Sequence, residues 1–478
     1  MRTLYDRLAE YGRSDYYGFH MPGHKRNPEL LGEGFPSGID ITEIDGFDDL
    51  HHAEGILKDA QERAAKVYHG EETHFLINGS SVGILSAVAG VTRRGDTILV
   101  ARNCHKSVYH AIEMNGLNPV YLTPGFHTSV QMNTEISAEE VRKALERNPL
   151  ARAVVIVSPT YDGVVSDVGA IAEEAHKKGI PVIVDEAHGA HFGFHPYFPG
   201  NANTKGADIV IHSLHKTLPS LTQTALLHMN GELVSRRKVC RYLHMLQSSS
   251  PSYVLMASID SCVDLLENRR KELFDPYVKN LRGLREELAG LRWLKLIQTD
   301  RYDFSKVVIS AGNGGLTGRQ LYRILLEEYH LQMEMAAGDY VLAMTSVADT
   351  AEGFRRLACA LREIDAAMGE SAETVSLGQG TGSLRKKKNI PCLPRPDVVY
   401  NSSEIQDAFR TRFLSWRDSV GRVSAEYAYL YPPGIPLIVP GERIPQEAAD
   451  VLQWYYEMGF SVEGLKKNLY IEVLEQEA

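Results

Sequence analysis

The chain is predicted to be an α/β protein with three parts. A large domain built on a mostly parallel sheet comes first, a smaller α/β domain comes second, and a C-terminal α+β domain ends the chain. Three observations predict this. Short apolar runs alternate with amphipathic stretches from about residue 54 to 270. That is the pattern of strands buried on both faces beneath helices. Two such runs end in residues that carry chemistry, Asp185 and Lys216. A polar, Gly/Ser-rich stretch, residues 369–389, then reads as a linker before a last Pro-rich segment.

Taken in order, residues 1–50 are rich in Gly, Pro, His and Asp and show little periodicity, so they read as a structured arm. Residues 54–68 form an amphipathic helix. Phe75-Leu76-Ile77 is an apolar run before Asn78-Gly79-Ser80-Ser81-Val82-Gly83, with a helix over 84–91. A strand is expected at 97–101, a helix at 105–114 and a short strand at 120–122. Ser137-x-x-Glu140 is a capping box that opens a helix to about Arg147. Strands at 153–157, 182–184 and 209–211 alternate with a helix over 168–178. A long helix runs from Ser252 to Leu266. The expected parts are an arm (1–50), a large domain (51–270), a small α/β domain (271–368), a linker (369–389) and a C-terminal domain (390–478).

Composition narrows the function. The chain has 478 residues, more than one ordinary core, and a formal net charge of −10. An acidic balance argues against non-specific binding to nucleic acid or membrane surfaces. Arg385-Lys386-Lys387-Lys388 is read as a solvated stretch of the linker. The cysteines are an odd five, widely spaced and without C-x-x-C, so a disulfide framework is not expected and a reducing cytoplasm is. The first residues, Met1 to Asp6, show no apolar core of a secretory signal.

The acid and the lysine carry the chemistry. Pro181-Val182-Ile183-Val184 leads into Asp185-Glu186-Ala187-His188. Ala207-Asp208-Ile209-Val210-Ile211 leads into Ser213-Leu214-His215-Lys216. Strand–acid followed by strand–lysine is the layout of a fold-type-I, aspartate aminotransferase-like enzyme that uses pyridoxal 5'-phosphate. A lysine amine holds the cofactor aldehyde as a Schiff base, and a carboxylate keeps the pyridine nitrogen protonated. Ser80 and Ser81, at a helix start, are suited to a phosphate, as are Ser213 and His215. His105, after the strand at 97–101, can stack on a flat ring. The plain alternatives are an N-cap for the serines and a helix-start histidine for His105.

Two other motifs lose to this reading. Asp185-Glu186-Ala187-His188 spells the helicase DEAH box, but no Gly-Lys dipeptide, and so no nucleotide-cradling loop, occurs anywhere. His188, His191 and His195 suggest a metal, yet no nearby cysteine completes a familiar set. His188 is assigned to the cofactor instead, and no metal is expected.

With these residues assembled, the chain resembles the Orn/Lys/Arg decarboxylase family, in its short, Bacillus-type arginine/lysine branch. The resemblance runs over nearly the whole chain. It is carried by Phe19-His20-Met21-Pro22-Gly23-His24-Lys25, Asp48-Asp49-Leu50-His51, Asn103-Cys104-His105-Lys106-Ser107 and Ser158-Pro159-Thr160-Tyr161. The Asp185–His191 stretch, Ser213-x-His215-Lys216, Gly421-Arg422-Val423 and Tyr431–Glu442 complete it. It implies α-decarboxylation of L-arginine, L-lysine or L-ornithine to agmatine or a diamine, within polyamine metabolism. Lys216 would hold the cofactor, Asp185 pair with its ring nitrogen and His105 stack on the ring. His188 would lie near the ring substituents, and Ser80, Ser81, Ser213 and His215 would hold phosphate. It also implies a cytoplasmic homodimer with shared active sites, in which Ser250 reaches a phosphate across the interface. Large members of the family carry an amino-terminal wing that is not expected here, and they follow the lysine with Leu and Ala, where this chain has Thr217-Leu218-Pro219-Ser220. A carboxylate from the C-terminal segment or from the partner's arm is expected to read the substrate's distal cation, with Glu426, Glu442 and, in the arm, Asp45 as candidates. The rivals are an aminotransferase or carbon–sulfur lyase on the same fold, and a non-catalytic regulatory homologue.

Overall fold

The computed structural model describes residues 2–14, 21–22, 34, 36–127, 132–311, 315–377, 395–408, 410–430, 434–457 and 460–475. Most of the Phe19–Lys25 motif, the basic run of the linker and Tyr431-Pro432-Pro433 lie outside them. The chain divides into two units. The first comprises Met1–Arg93, Arg152–Ser158 and Val168–Phe274, and the second comprises Arg94–Ala151, Pro159–Asp167 and Asp275–Ala478.

In the first unit five strands lie side by side. They are β1 (Glu72–Leu76), β2 (Ala151–Val157), β3 (Val182–Asp185), β4 (Ile209–Ser213) and β5 (Ala225–Met229), in the order β1-β5-β4-β3-β2. β2, β3 and β4 are parallel, with Val157 beside Asp185 and Asp185 beside Ile211. β5 runs antiparallel to both β4 and β1, with Ala225 opposite Ser213 on one side and Leu76 on the other. Two reversals leave β1 parallel to β4. The carboxyl ends of β1, β3 and β4 therefore share one edge of the sheet, where an open α/β sheet places its ligands.

The turn after β1 is built for close approach. Helix α1 (Leu4–Gly12) and helix α2 (Ile56–Tyr68) precede the strand, and helix α3 (Gly79–Val91) comes next. Gly79 starts α3 at φ +75°, a left-handed conformation that a side chain would strain, although nothing lies near its missing Cβ. Gly83 is glycine for space. A Cβ there would stand 2.7 Å from Leu76 Cδ1 and 3.3 Å from Ile211 Cγ2, so α3 is seated directly on the sheet.

Two further differences from the expected pattern have physical reasons. The arm holds a helix, α1, whose polar sequence buries only Leu4 and Leu8 and hides the periodicity. Its start is set by a capping box between Thr3 and Asp6. And the expected linker does not begin at Gly369, because a helix spans Ala351–Leu377.

In the second unit, Thr97–Ala101 and Asn118–Leu122 form a parallel pair joined by the helix Lys106–Asn115. A four-stranded antiparallel sheet has the order Lys295–Ile297, Lys306–Ser310, Tyr340–Met344, Met335–Ala337. The C-terminal segment closes small antiparallel sheets around Trp416, Ala428, Ile438, Leu452, Ile471 and Val473. No described helix is long and apolar enough to cross a membrane.

Candidate active site

Asp185 is the last residue of β3, and its side chain is buried. One carboxylate oxygen accepts the amide of Ala187 at 3.1 Å. Burial raises its pKa, while the charge of Lys216 and that amide oppose the rise. A carboxylate in this position is stabilised by a further cationic partner. Lys216 lies in the single turn of helix, Leu214–Thr217, after β4, and its Nζ is 2.9 Å from Nε2 of His188. An ammonium or amine N–H donating to a neutral imidazole satisfies that geometry.

Ser213 ends β4, and its Oγ is fully buried with no hydrogen-bond partner among the described residues. Buried hydroxyls are seldom left so, and a ligand acceptor would satisfy it. His215 is half-buried and donates Nδ1–H to the Thr224 carbonyl at 3.0 Å. Burial first, and Lys216 second, hold its pKa below the usual histidine value, while the Thr224 contact opposes them. Ser80 and Ser81 sit in the first turn of α3, whose N-cap residue Asn78 makes no side-chain cap hydrogen bond. The amide of Gly79 bonds the Gln223 carbonyl at 2.9 Å, which ties this turn to the loop after Lys216. Uncapped amides and two hydroxyls at a helix start suit a phosphate. Ser250 is exposed, and its amide donates to Ser248 Oγ. The Ser248 amide in turn reaches Asn78 Oδ1 at 3.3 Å, beside the same helix start.

These residues fit pyridoxal phosphate by their donor set. The first unit brings together a buried carboxylate, a strand-end lysine, an orphaned buried hydroxyl and an uncapped helix start.

In the second unit His105 caps the helix Lys106–Asn115, and its Nδ1 lies 2.9 Å from Ser107 Oγ and accepts the Ser107 amide at 3.2 Å. That fixes the ring and leaves Nε2 to carry the proton. Glu426 is buried, and both its oxygens are taken. Oε1 accepts the amide of Lys466 at 2.9 Å, and Oε2 accepts that of Glu472 at 2.8 Å. Glu442 is buried too. Its Oε2 pairs with Arg102 at 3.0 Å and accepts the Val439 amide at 3.0 Å. Its Oε1 has no hydrogen-bond partner among the described residues. Asp45, in the first unit, is exposed.

Sequence reading misses a buried chain beside Asp185. Glu186 Oε2 is 2.7 Å from His212 Nε2, His212 Nδ1 is 2.9 Å from His228 Nε2, and His228 Nδ1 is 2.7 Å from Thr73 Oγ1. Burial raises Glu186 to about 8 and depresses His212 to about 3. A neutral chain satisfies every link, with Glu186 protonated and each imidazole passing one N–H onward. Its only sequence signal is two polar histidines inside the apolar strands β4 and β5.

The chain matches the family model "Orn/Lys/Arg decarboxylase, major domain" over residues 2–313 and "Orn/Lys/Arg decarboxylase, C-terminal domain" over 404–465. It is 35% identical to the uncharacterized protein YaaO of Bacillus subtilis, over 99% of each chain. It is 33% identical to an arginine decarboxylase of Bacillus subtilis, over 96% of this chain and 95% of the relative. The lysine decarboxylase LdcF of Francisella novicida superposes with a TM-score of 0.84 at 22% identity, over 99% of this chain and 81% of that one. At that identity the last likeness speaks for the fold.

Proposed function

This chain belongs to the Orn/Lys/Arg decarboxylase family, and on that premise we propose that it uses pyridoxal 5'-phosphate to remove the α-carboxylate of a basic amino acid. Among the possible substrates we place L-arginine first, ahead of L-lysine and L-ornithine. Support for arginine comes from relatives named arginine decarboxylase at 32–33% identity, against 24% for those named lysine decarboxylase. The observation that carries the reading is the pairing, within one unit, of buried Asp185 at one strand end with Lys216 at the next.

Roles follow from the chemistry of each group. When bound, the cofactor supplies an electron sink for the pair released as the Cα–carboxylate bond breaks. Lys216 offers the amine that holds the cofactor covalently. Asp185 keeps a proton on the ring nitrogen by presenting a buried negative charge to it. Ser213, the α3 amides, Ser80 and Ser81 bind phosphate, and His215 borders them. We assign Ser250 to the phosphate of the partner subunit. His188 Nε2 lies 2.9 Å from Lys216 Nζ, so with cofactor bound the two side chains would hold and pass a proton between them. His105, its ring fixed by Ser107, is assigned to the ring face.

For the distal cation we favour Glu442 among the three carboxylates. It has a buried oxygen to spare, Glu426 has none, and Asp45 is exposed. We further propose a cytoplasmic homodimer and a division into arm, large, small and C-terminal domains as expected from the sequence, with the linker starting only after the helix that ends at Leu377. Cys104, Cys240, Cys262 and Cys359 are not joined in disulfides among the described residues, which supports a reducing compartment.

Amine analysis tests the function. The purified chain with pyridoxal phosphate is given arginine, lysine and ornithine separately. Agmatine from arginine, in excess over cadaverine and putrescine from the others, is the expected result. A keto acid from any of them, without amine, would show an aminotransferase instead.

A further inference from the structure

Outside the candidate active site, the first unit gathers three metal-ligating side chains of different kinds. Glu72 and His74 lie two apart on β1, at the outer edge of the sheet, so they share a face. Cys240 lies on the helix α4 (Arg236–Leu246) and meets them there. His74 Nε2 is 2.8 Å from Glu72 Oε1 and 3.4 Å from Cys240 Sγ, and Sγ is 3.9 Å from Glu72 Oε1. We infer that Glu72, His74 and Cys240 form a site for a divalent transition metal of the zinc class, with its fourth position open.

The geometry supports a cation of that size. Metal–ligand bonds of roughly 2.0–2.3 Å at tetrahedral angles place the donor atoms about 3.4–3.6 Å apart. The His74–Cys240 separation already fits that range, and changes of roughly half an ångström in the other two complete one face of a tetrahedron. The donor set selects the metal. A thiolate, an imidazole and a carboxylate suit zinc and its neighbours rather than magnesium or calcium, which take oxygen. Charge supports it too, since thiolate and carboxylate together balance a divalent ion.

Two independent features surround the triangle. Arg236 forms an ion pair with the other oxygen of Glu72, its Nε 3.2 Å from Oε2, which leaves Oε1 to His74 and Cys240. Orientation of a ligand by an outer polar partner is common in built metal sites. All three donor residues also line one cleft of about 980 Å³. His244 lines it as well, one helical turn beyond Cys240 on the same face of α4. The fourth position therefore faces a space that water or an exogenous donor can enter. The triangle is the one grouping of three such ligands among the described residues. Cys240 lies far along the chain from Glu72 and His74, so spacing alone does not reveal it.

Cobalt reports the site. The protein as purified is stripped with a chelator and titrated with Co²⁺. Its ligand-field bands in the red lie clear of any cofactor absorption. The expected result is one Co²⁺ per chain with the intense bands of a tetrahedral, thiolate-containing site, abolished when Zn²⁺ is added. Cys240→Ser and His74→Gln should each weaken binding by roughly tenfold or more. Glu72→Gln, at a half-exposed edge position, provides a variant whose metal-free melting temperature stays near wild type while its affinity falls. Absence of the bands would mean a hydrogen-bonded Cys–His–Glu group without a metal and would overturn the site. Equal Co²⁺ binding by Cys240→Ser, or by all three variants, would overturn it as well.

Discussion

Lys216 Nζ stands 2.9 Å from His188 Nε2. The contact joins a residue on the turn after β4 to one just beyond the end of β3, so the sheet itself sets the distance. An imidazole that accepts from the amine gives its proton somewhere to go when the amine must act as a nucleophile. His188→Gln keeps a polar group there but cannot take up the proton. Its turnover should fall about 10²-fold or more while cofactor absorbance stays, with the loss in kcat rather than KM. Wild-type kcat in this variant would remove His188 from proton handling.

Lys216→Ala should abolish turnover while leaving the fold intact. The side chain is a single-turn appendage to the sheet, and its removal opens no apolar core. Circular dichroism and an activity assay with pyridoxal phosphate present check both halves. Residual turnover above background would place the essential amine elsewhere.

Asp185→Asn should retain the cofactor and lose most activity. The amide cannot hold the positive charge of a ring nitrogen. Loss of a charge-assisted contact costs about 1.5–3 kcal/mol, or roughly ten- to more than hundredfold in rate. Steady-state kinetics at saturating cofactor measures it, and a change below threefold contradicts the role.

The Glu186–His212 pair predicts a stability profile. Glu186 has its folded pKa raised from 4.5 to about 8, so its contribution is complete below 4.5 and is lost as pH rises through 8. His212 is depressed from 6.5 to about 3, so its contribution is complete above 6.5 and is lost as pH falls through 3. Together they favour the interval between about 4.5 and 6.5. Urea midpoints of the wild type should decline from pH 6.5 to 8. Glu186→Gln, which does not titrate, should flatten that decline. Parallel profiles for the two proteins would show that Glu186 stays ionised.

Glu426→Gln should destabilise the C-terminal segment. Both carboxylate oxygens accept backbone amides, and an amide side chain offers an acceptor to only one of them. The expected loss is about 1–3 kcal/mol, seen as a lower melting temperature with KM for the substrate unchanged. A raised KM at unchanged stability would return Glu426 to the substrate.

The acid–lysine pair was legible because its chemistry places rare residue types at the ends of apolar strands. The strands around them, 153–157, 182–184 and 209–211, were legible as continuous apolar runs. Direction was not, since a strand buried on both faces reads alike either way. That is why the antiparallel course of β5 had no signal. Helix α1 was hidden because two buried leucines make too short a pattern, although Thr3-x-x-Asp6 marked its start. The fates of Glu426 and Glu442 depended on partners far along the chain. Lys466 and Glu472 hold one, and Arg102 the other. Local sequence shows an acidic residue near a Pro-rich turn and no more.

Borohydride reduction of the pyridoxal phosphate-loaded protein, with peptide mapping of the product, tests the assignment of Lys216 most directly. A pyridoxyl group on the peptide that contains Lys216, and on no other, is the predicted result. Label on a different lysine, or a loaded protein that takes up no label at all, would contradict it.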